Sequence, residues 1–269
     1  MRKLIPGYLA LLITIISCNN QDHTKQNGEI AGGPAAMREK ILTDSILQFP
    51  DSLILKEKLI QFYRDSADFD KAIETTDKAI LTDSLNYRLW EIKATLHYEN
   101  YDTALAISSY ETALLLNPLP RYIILLGSLY AQTKNNKANE MADFLLTTKI
   151  PNTEKEAFFI KGLYYNYTGE KNKAIGFFDK CLNLDPGYML AYREKGIALY
   201  DQGKYNDAIT VLDKAVTLRN NFDEGYYWLG RCLEKLNKPK DAIEEYKTAL
   251  MYSPDYIEAE DALKRLNAR

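Results

Sequence analysis

Three cysteines, two histidines and two tryptophans occur in 269 residues. So few cysteines exclude a disulfide framework. No CxxC pair and no HExxH helix is present, so no zinc site of familiar spacing can form. Neither a GxSxG elbow nor a phosphate-cradling glycine loop occurs. Of the histidines, His23 lies in a polar stretch and His97 falls at a helix packing position. Acidic pairs such as Glu244 and Glu245 sit at spacings of a solvated helix face, and nothing among the 37 acidic residues picks out an acid–base couple. The expectation is a protein without catalytic residues, cofactor or metal. Basic excess is also missing. Lys and Arg number 34 against 37 Asp and Glu, for a net charge of −3. A nucleic-acid partner, which needs a basic stripe, is not expected.

Long apolar runs are absent too. Leu9 to Ile16 is apolar but too short to span a bilayer as a mature helix. Preceded by Arg2 and Lys3, it reads as a signal peptide over residues 1–17. Its end, Ile15-Ile16-Ser17-Cys18, resembles a bacterial lipobox. That resemblance implies cleavage before Cys18 and lipidation of its sulfur and new amine, which would anchor the chain to a membrane. Loss of Arg2 and Lys3 would leave a charge of −5. Residues 18–34 read as the lipidated cysteine and a flexible tether, reaching roughly 20–24 Å. Some envelope lipoproteins carry an acidic export signal straight after the cysteine, and here only Asp22 supplies a carboxylate, so the expectation is a periplasmic face, at the outer membrane. Cys181 and Cys232 lie two repeats apart, too far to bridge, and are expected as buried thiols.

What the chain does have is a 34-residue period. Counting from Leu53, Tyr87, Arg121, Lys155, Met189 and Asp223, position 20 is Ala72, Ala106, Glu140, Ala174, Ala208 and Ala242. Position 27 is Ala79, Ala113, Thr147, Cys181, Ala215 and Ala249. Small residues recur at position 8 (Gly162, Gly196, Gly230) and large ones at positions 4, 11 and 24. Spacings of 4–8–11 and 20–24–27 each keep one face of a helix, so every unit is a pair of helices. Such units bury their apolar faces only against neighbours and stack into a solenoid. Residues 35–52 and 257–269 read as capping helices, with the repeats filling 53–256.

These positions resemble the tetratricopeptide repeat. The fourth unit carries the pattern most fully, with Phe158, Gly162, Tyr165, Ala174, Phe178 and Pro186. The third departs, with Glu140 and Thr147 for alanine and Gly127 one place early. The resemblance implies an all-α, right-handed superhelical solenoid of six antiparallel helix pairs. It also implies that positions 2, 5, 9 and 12 of each first helix line a concave groove for a protein partner. Those positions predict a groove of Tyr98, Tyr122, Leu125, Leu129, Phe159, Leu163 and Asn166, continued by Arg193, Tyr200, Tyr227 and Arg231. The chaperone-binding carboxylate clamp of some family members is absent, since its positions read Phe159, Leu163, Glu194, Glu224 and Trp228. The leading expectation is a non-catalytic adaptor of the bacterial envelope, scaffolding cell-wall enzymes or assisting outer-membrane assembly. Capture of a glycan or small ligand, and self-assembly, stay open as alternatives. The sequence leaves the oligomeric state undecided.

Overall fold

The structure, a computed structural model, describes residues 33–267. The signal segment, Cys18, His23 and nearly all of the tether lie outside the described residues. Among the described residues there are fourteen α-helices and no strand, and none of the helices is long and apolar enough to cross a membrane. They form two compact units divided between Leu116 and Asn117. The first contains α1 (Pro34–Gln48), α2 (Leu53–Asp65), α3 (Phe69–Thr82), α4 (Tyr87–Glu99) and α5 (Thr103–Leu116). The second contains α6 (Pro120–Gln132), α7 (Lys137–Thr148), α8 (Glu154–Tyr167), α9 (Lys171–Leu184), α10 (Met189–Asp201), α11 (Tyr205–Leu218), α12 (Asp223–Lys235), α13 (Pro239–Tyr252) and α14 (Ile257–Asn267). The all-α expectation holds. Within each unit, helices pack as consecutive pairs, each pair against the next.

Local chemistry sets the helix ends. The side chains of Ser52, Asp68, Asn86 and Asp102 accept hydrogen bonds from backbone N–H groups of the first turn they precede. Pro120 and Pro239 open α6 and α13, where a missing N–H costs nothing. One left-handed residue closes the first helix of each pair: Ala67, Tyr101, Lys134, Gly169, Gly203 and Asn237. Position 8 is small because the second helix crosses there. A Cβ added to Gly196 would lie 2.8 Å from Leu212, and one on Gly230 would lie 2.6 Å from Tyr246. Cys181 and Cys232 are both buried free thiols, and burial pushes each up to about 12.

The third pair corrects the uniform register. Its left-handed residue is Lys134, one place earlier than in the other five pairs. With that shift Ile123, Gly127 and Tyr130 take positions 4, 8 and 11, and all three are buried. The turn into α7 is one residue shorter again. The buried positions of α7 are therefore Ala138, Ala142 and Leu145, not Glu140, Phe144 and Thr147, which are exposed. Two extra residues before α8 restore the period, in a connection where Lys149 and Asn152 are both left-handed. The slips cancel, so the 34-residue spacing survives across a unit whose interior does not follow it.

Candidate partner-binding face

That slip changes what several predicted groove residues do. Tyr122, Leu125 and Leu129 occupy positions 3, 6 and 10 of the third pair in its true register. Equivalent positions elsewhere hold Leu89, Leu96, Ile160 and Ala198, all core residues. Accordingly Tyr122 and Leu129 are 0% exposed and Leu125 is 7% exposed. The Arg121 guanidinium lies 4.9 Å from the Tyr122 ring and donates to its hydroxyl at 2.8 Å.

Farther along, aromatic residues of the loops fill the face. Tyr188, Phe222 and Tyr256 recur at position 34, just before α10, α12 and α14. Tyr188 packs 5.1 Å from Phe159, and Tyr256 packs 5.0 Å from Tyr227, ring centre to ring centre. Phe159 also meets Phe178 at 6.0 Å. Phe159, Leu163 and Tyr227 are thereby buried. Sequence reasoning missed these loop aromatics, although their own 34-residue recurrence is a readable signal.

Polar side chains run between α8, α10 and α12. Asn166 donates to Glu194 at 3.4 Å and accepts from Lys171 at 2.7 Å, and Lys171 also pairs with Asp201 at 2.6 Å. Arg193 donates to Glu194 at 3.0 Å and to Glu224. Glu194 is fully buried, and burial pushes its carboxyl up to about 7 against the pull of Arg193. Burial raises Glu224 as well, again against Arg193. One oxygen each of Glu156 and Glu224 is buried without a hydrogen-bond partner.

Tyr200 and Arg231 on this face are both half-buried. The Arg231 guanidinium lies 5.3 Å from the Tyr200 ring, 5.8 Å from Tyr227 and 5.2 Å from Trp228. It donates to the Tyr227 hydroxyl at 2.9 Å and the Tyr200 hydroxyl at 3.2 Å. Both hydroxyls accept from it, which leaves each O–H with a proton to donate elsewhere. Of the predicted residues, the structure brings Tyr200, Tyr227 and Arg231 together, and joins Asn166 to Arg193 through Glu194. Tyr98 is half-buried on α4 in the first unit. No group of three or more His, Cys, Asp or Glu able to hold a metal ion occurs among the described residues.

Family models agree with the helix pairs. Residues 155–188 and 223–256 match models of the tetratricopeptide repeat, and residues 196–237 match a related TPR repeat model. No curated protein matches the chain. Among solved structures, a tetratricopeptide repeat protein from Parabacteroides merdae shares 19% identity over 88% of this chain and 93% of its own, with a TM-score of 0.71. PilW, described as a type IV pilus biogenesis factor, shares 18% over 78% of this chain and 97% of its own, with a TM-score of 0.58. A thermophilic repeat protein of Thermus thermophilus shares 16% over 68% of this chain and 100% of its own, also at 0.58. At such identities the likeness is one of fold. Residues 155–188 and 196–256 are therefore tetratricopeptide repeats, within a chain whose helix pairs share the fold of tetratricopeptide proteins.

Proposed function

We propose that the protein is a non-catalytic adaptor, anchored in a bacterial envelope through a lipidated Cys18, that holds a protein partner on the first-helix face of its second unit. The observation that carries this reading is Arg231. It is a half-buried cation among three aromatic rings, and no carboxylate lies within ion-pair distance of it among the described residues. Rigid aromatics and arginine are the residues most enriched where binding energy concentrates. A partner carboxylate meeting Arg231 and the two tyrosine O–H groups would form charge-assisted hydrogen bonds in a partly desolvated site. Phe159 and Leu163 contribute indirectly, by making the floor rigid.

The test is affinity capture from detergent-solubilised envelopes with the full chain as bait, beside Arg231→Gln. Glutamine keeps the side-chain stem, and circular dichroism must show unchanged helicity and melting. A partner held by the native bait and lost by the variant supports the reading. A bait that holds nothing specific, or variants that hold the same partner equally, would sink it. Lipid anchoring is checked separately by labelled palmitate, which the native chain should incorporate and Cys18→Ser should not.

A further inference from the structure

The first and last helices close their units differently. α14 buries Ala259, Ala262 and Leu266 and leaves Glu260, Asp261, Lys264 and Arg265 exposed. That is the polar outer face a terminal cap needs. α1 stands where the second helix of a pair would, but among the described residues no first helix precedes it. The second helices of the six pairs each bury three or four side chains, whereas α1 buries none. Its inner side is held on the first unit. Leu42 and Ile46 pack on the core of α2 and α3, and Glu39 accepts from the Tyr63 hydroxyl at 2.8 Å.

The outer side of α1 carries Met37, Lys40, Ile41, Asp44 and Leu47, at spacings of three and four that keep one helical face. Met37 is 45% exposed, Ile41 54% and Leu47 76%, with Phe49 just beyond the helix at 62%. Lys40 and Asp44 pair at 2.7 Å in the middle of this apolar stripe.

The order of these residues fits one occupant. Positions 37 and 47, and 40 and 44, are each symmetric about 42. Laid antiparallel on a second copy of itself, α1 sets Met37 opposite Leu47 of that copy and Lys40 opposite its Asp44. Both contacts then occur twice, as a two-fold axis requires. A parallel pairing would oppose lysine to lysine and aspartate to aspartate, so charge selects the antiparallel one. An anionic lipid surface is a poorer match. The stripe has a carboxylate at its middle, and residues 33–116 hold 9 Lys and Arg against 14 Asp and Glu. Residues 19–32 cannot cover the stripe either, since Ile30 is their only sizeable apolar side chain.

We propose that α1 is the contact between two copies of this chain, packed antiparallel about a two-fold axis level with Leu42. A contact one helix wide is small beside the roughly 800 Å² per partner of a standard interface, so the dimer is reversible. It uses none of the residues around Arg231 and does not depend on the adaptor reading.

The test is cross-linking of two full chains, each with its own epitope tag, by a short bismaleimide in whole cells. It therefore does not depend on lipidation of Cys18, and the unsubstituted chain is the blank for the native thiols. Met37→Cys mixed with Leu47→Cys should cross-link. Either variant alone should not, because ten residues at 1.5 Å rise hold the two copies of one site about 15 Å apart along the axis. Adding Lys40→Glu to both chains, or Asp44→Lys to both, should lower the yield about fivefold, since each sets like charges together twice. Lys40→Glu in one chain with Asp44→Lys in the other should restore it, although each helix then keeps its own like-charged pair. That rescue can only come from contact between chains. No cross-link in the mixed pair would overturn the proposal and leave the stripe to a membrane or a foreign protein. Equal cross-linking by either variant alone, or charge variants no better mixed than separate, would overturn it as well.

Discussion

Two glycines at the residue scale have opposite meanings. Gly230 sits where Tyr246 crosses, and a methyl group there would meet the ring at 2.6 Å. Gly230→Ala should therefore destabilise the protein by about 1–3 kcal/mol through overpacking. Gly176 lies within α9, exposed, with nothing within 4 Å of an added Cβ. Gly176→Ala should stabilise by about 0.4–1 kcal/mol, because alanine loses less backbone entropy in a helix. Thermal melting of both variants checks the pair, and a shift in the same direction would contradict this packing. Glu194 gives a pH prediction. Its carboxyl titrates at about 7 when folded, against 4.5 unperturbed. Between those values the unfolded chain has already released the proton that the folded chain keeps, so this group's contribution to stability falls as pH rises. Glu194→Gln should thus gain on the native protein by on the order of 1–3 kcal/mol from pH 4.5 to pH 8. His97, lowered by burial, works the other way, losing stability as pH falls, and cancels in that comparison. A native-minus-variant difference that stays flat with pH would show that Glu194 is ionised throughout.

The third helix pair is the informative case among elements. Its period was legible, and so were two clues to its slip: Gly127 one place early, and Tyr130 where position 11 of a shifted unit needs a large flat ring. Spacing alone could not place the slip, because two short connections are offset by a long one. The outcome is testable. Ala142→Leu should cost about 1–3 kcal/mol, since Ala142 is fully buried. Glu140→Ala should change stability by less than about 0.5 kcal/mol, since Glu140 is exposed. The uniform register reverses that order, so denaturant midpoints of the two variants decide between them. Because of the slip, Leu125→Asp would disturb folding before it reported on recognition, since Leu125 belongs to the core.

For the whole molecule, stability is built from neighbours. Each pair rests on the next within its unit, and α14 closes the last one with Ala259, Ala262 and Leu266 against Tyr246 and Ala249. Truncation before Ile257 uncovers that cluster and should lower solubility and melting temperature together. The charge of the chain has a whole-molecule pattern too, acidic in the first unit and balanced in the second.

Composition and periodicity by themselves determined the helical class, the pairing of helices and the small and large core positions in four of the six pairs. They could, because a 34-residue period and a 3.6-residue turn together fix which face each residue occupies. The lipobox resemblance at Cys18 rests on local sequence alone and lies outside the described residues. Only the tertiary structure decided which residues of the partner face stay open. That depends on where Tyr188, Phe222 and Tyr256 come to rest, and on one-residue differences in loop length that leave the period intact. It also brought Asp70 of α3, His97 of α4 and Asp102, in the turn before α5, close together, since nearness across helices is a property of packing that no local spacing records.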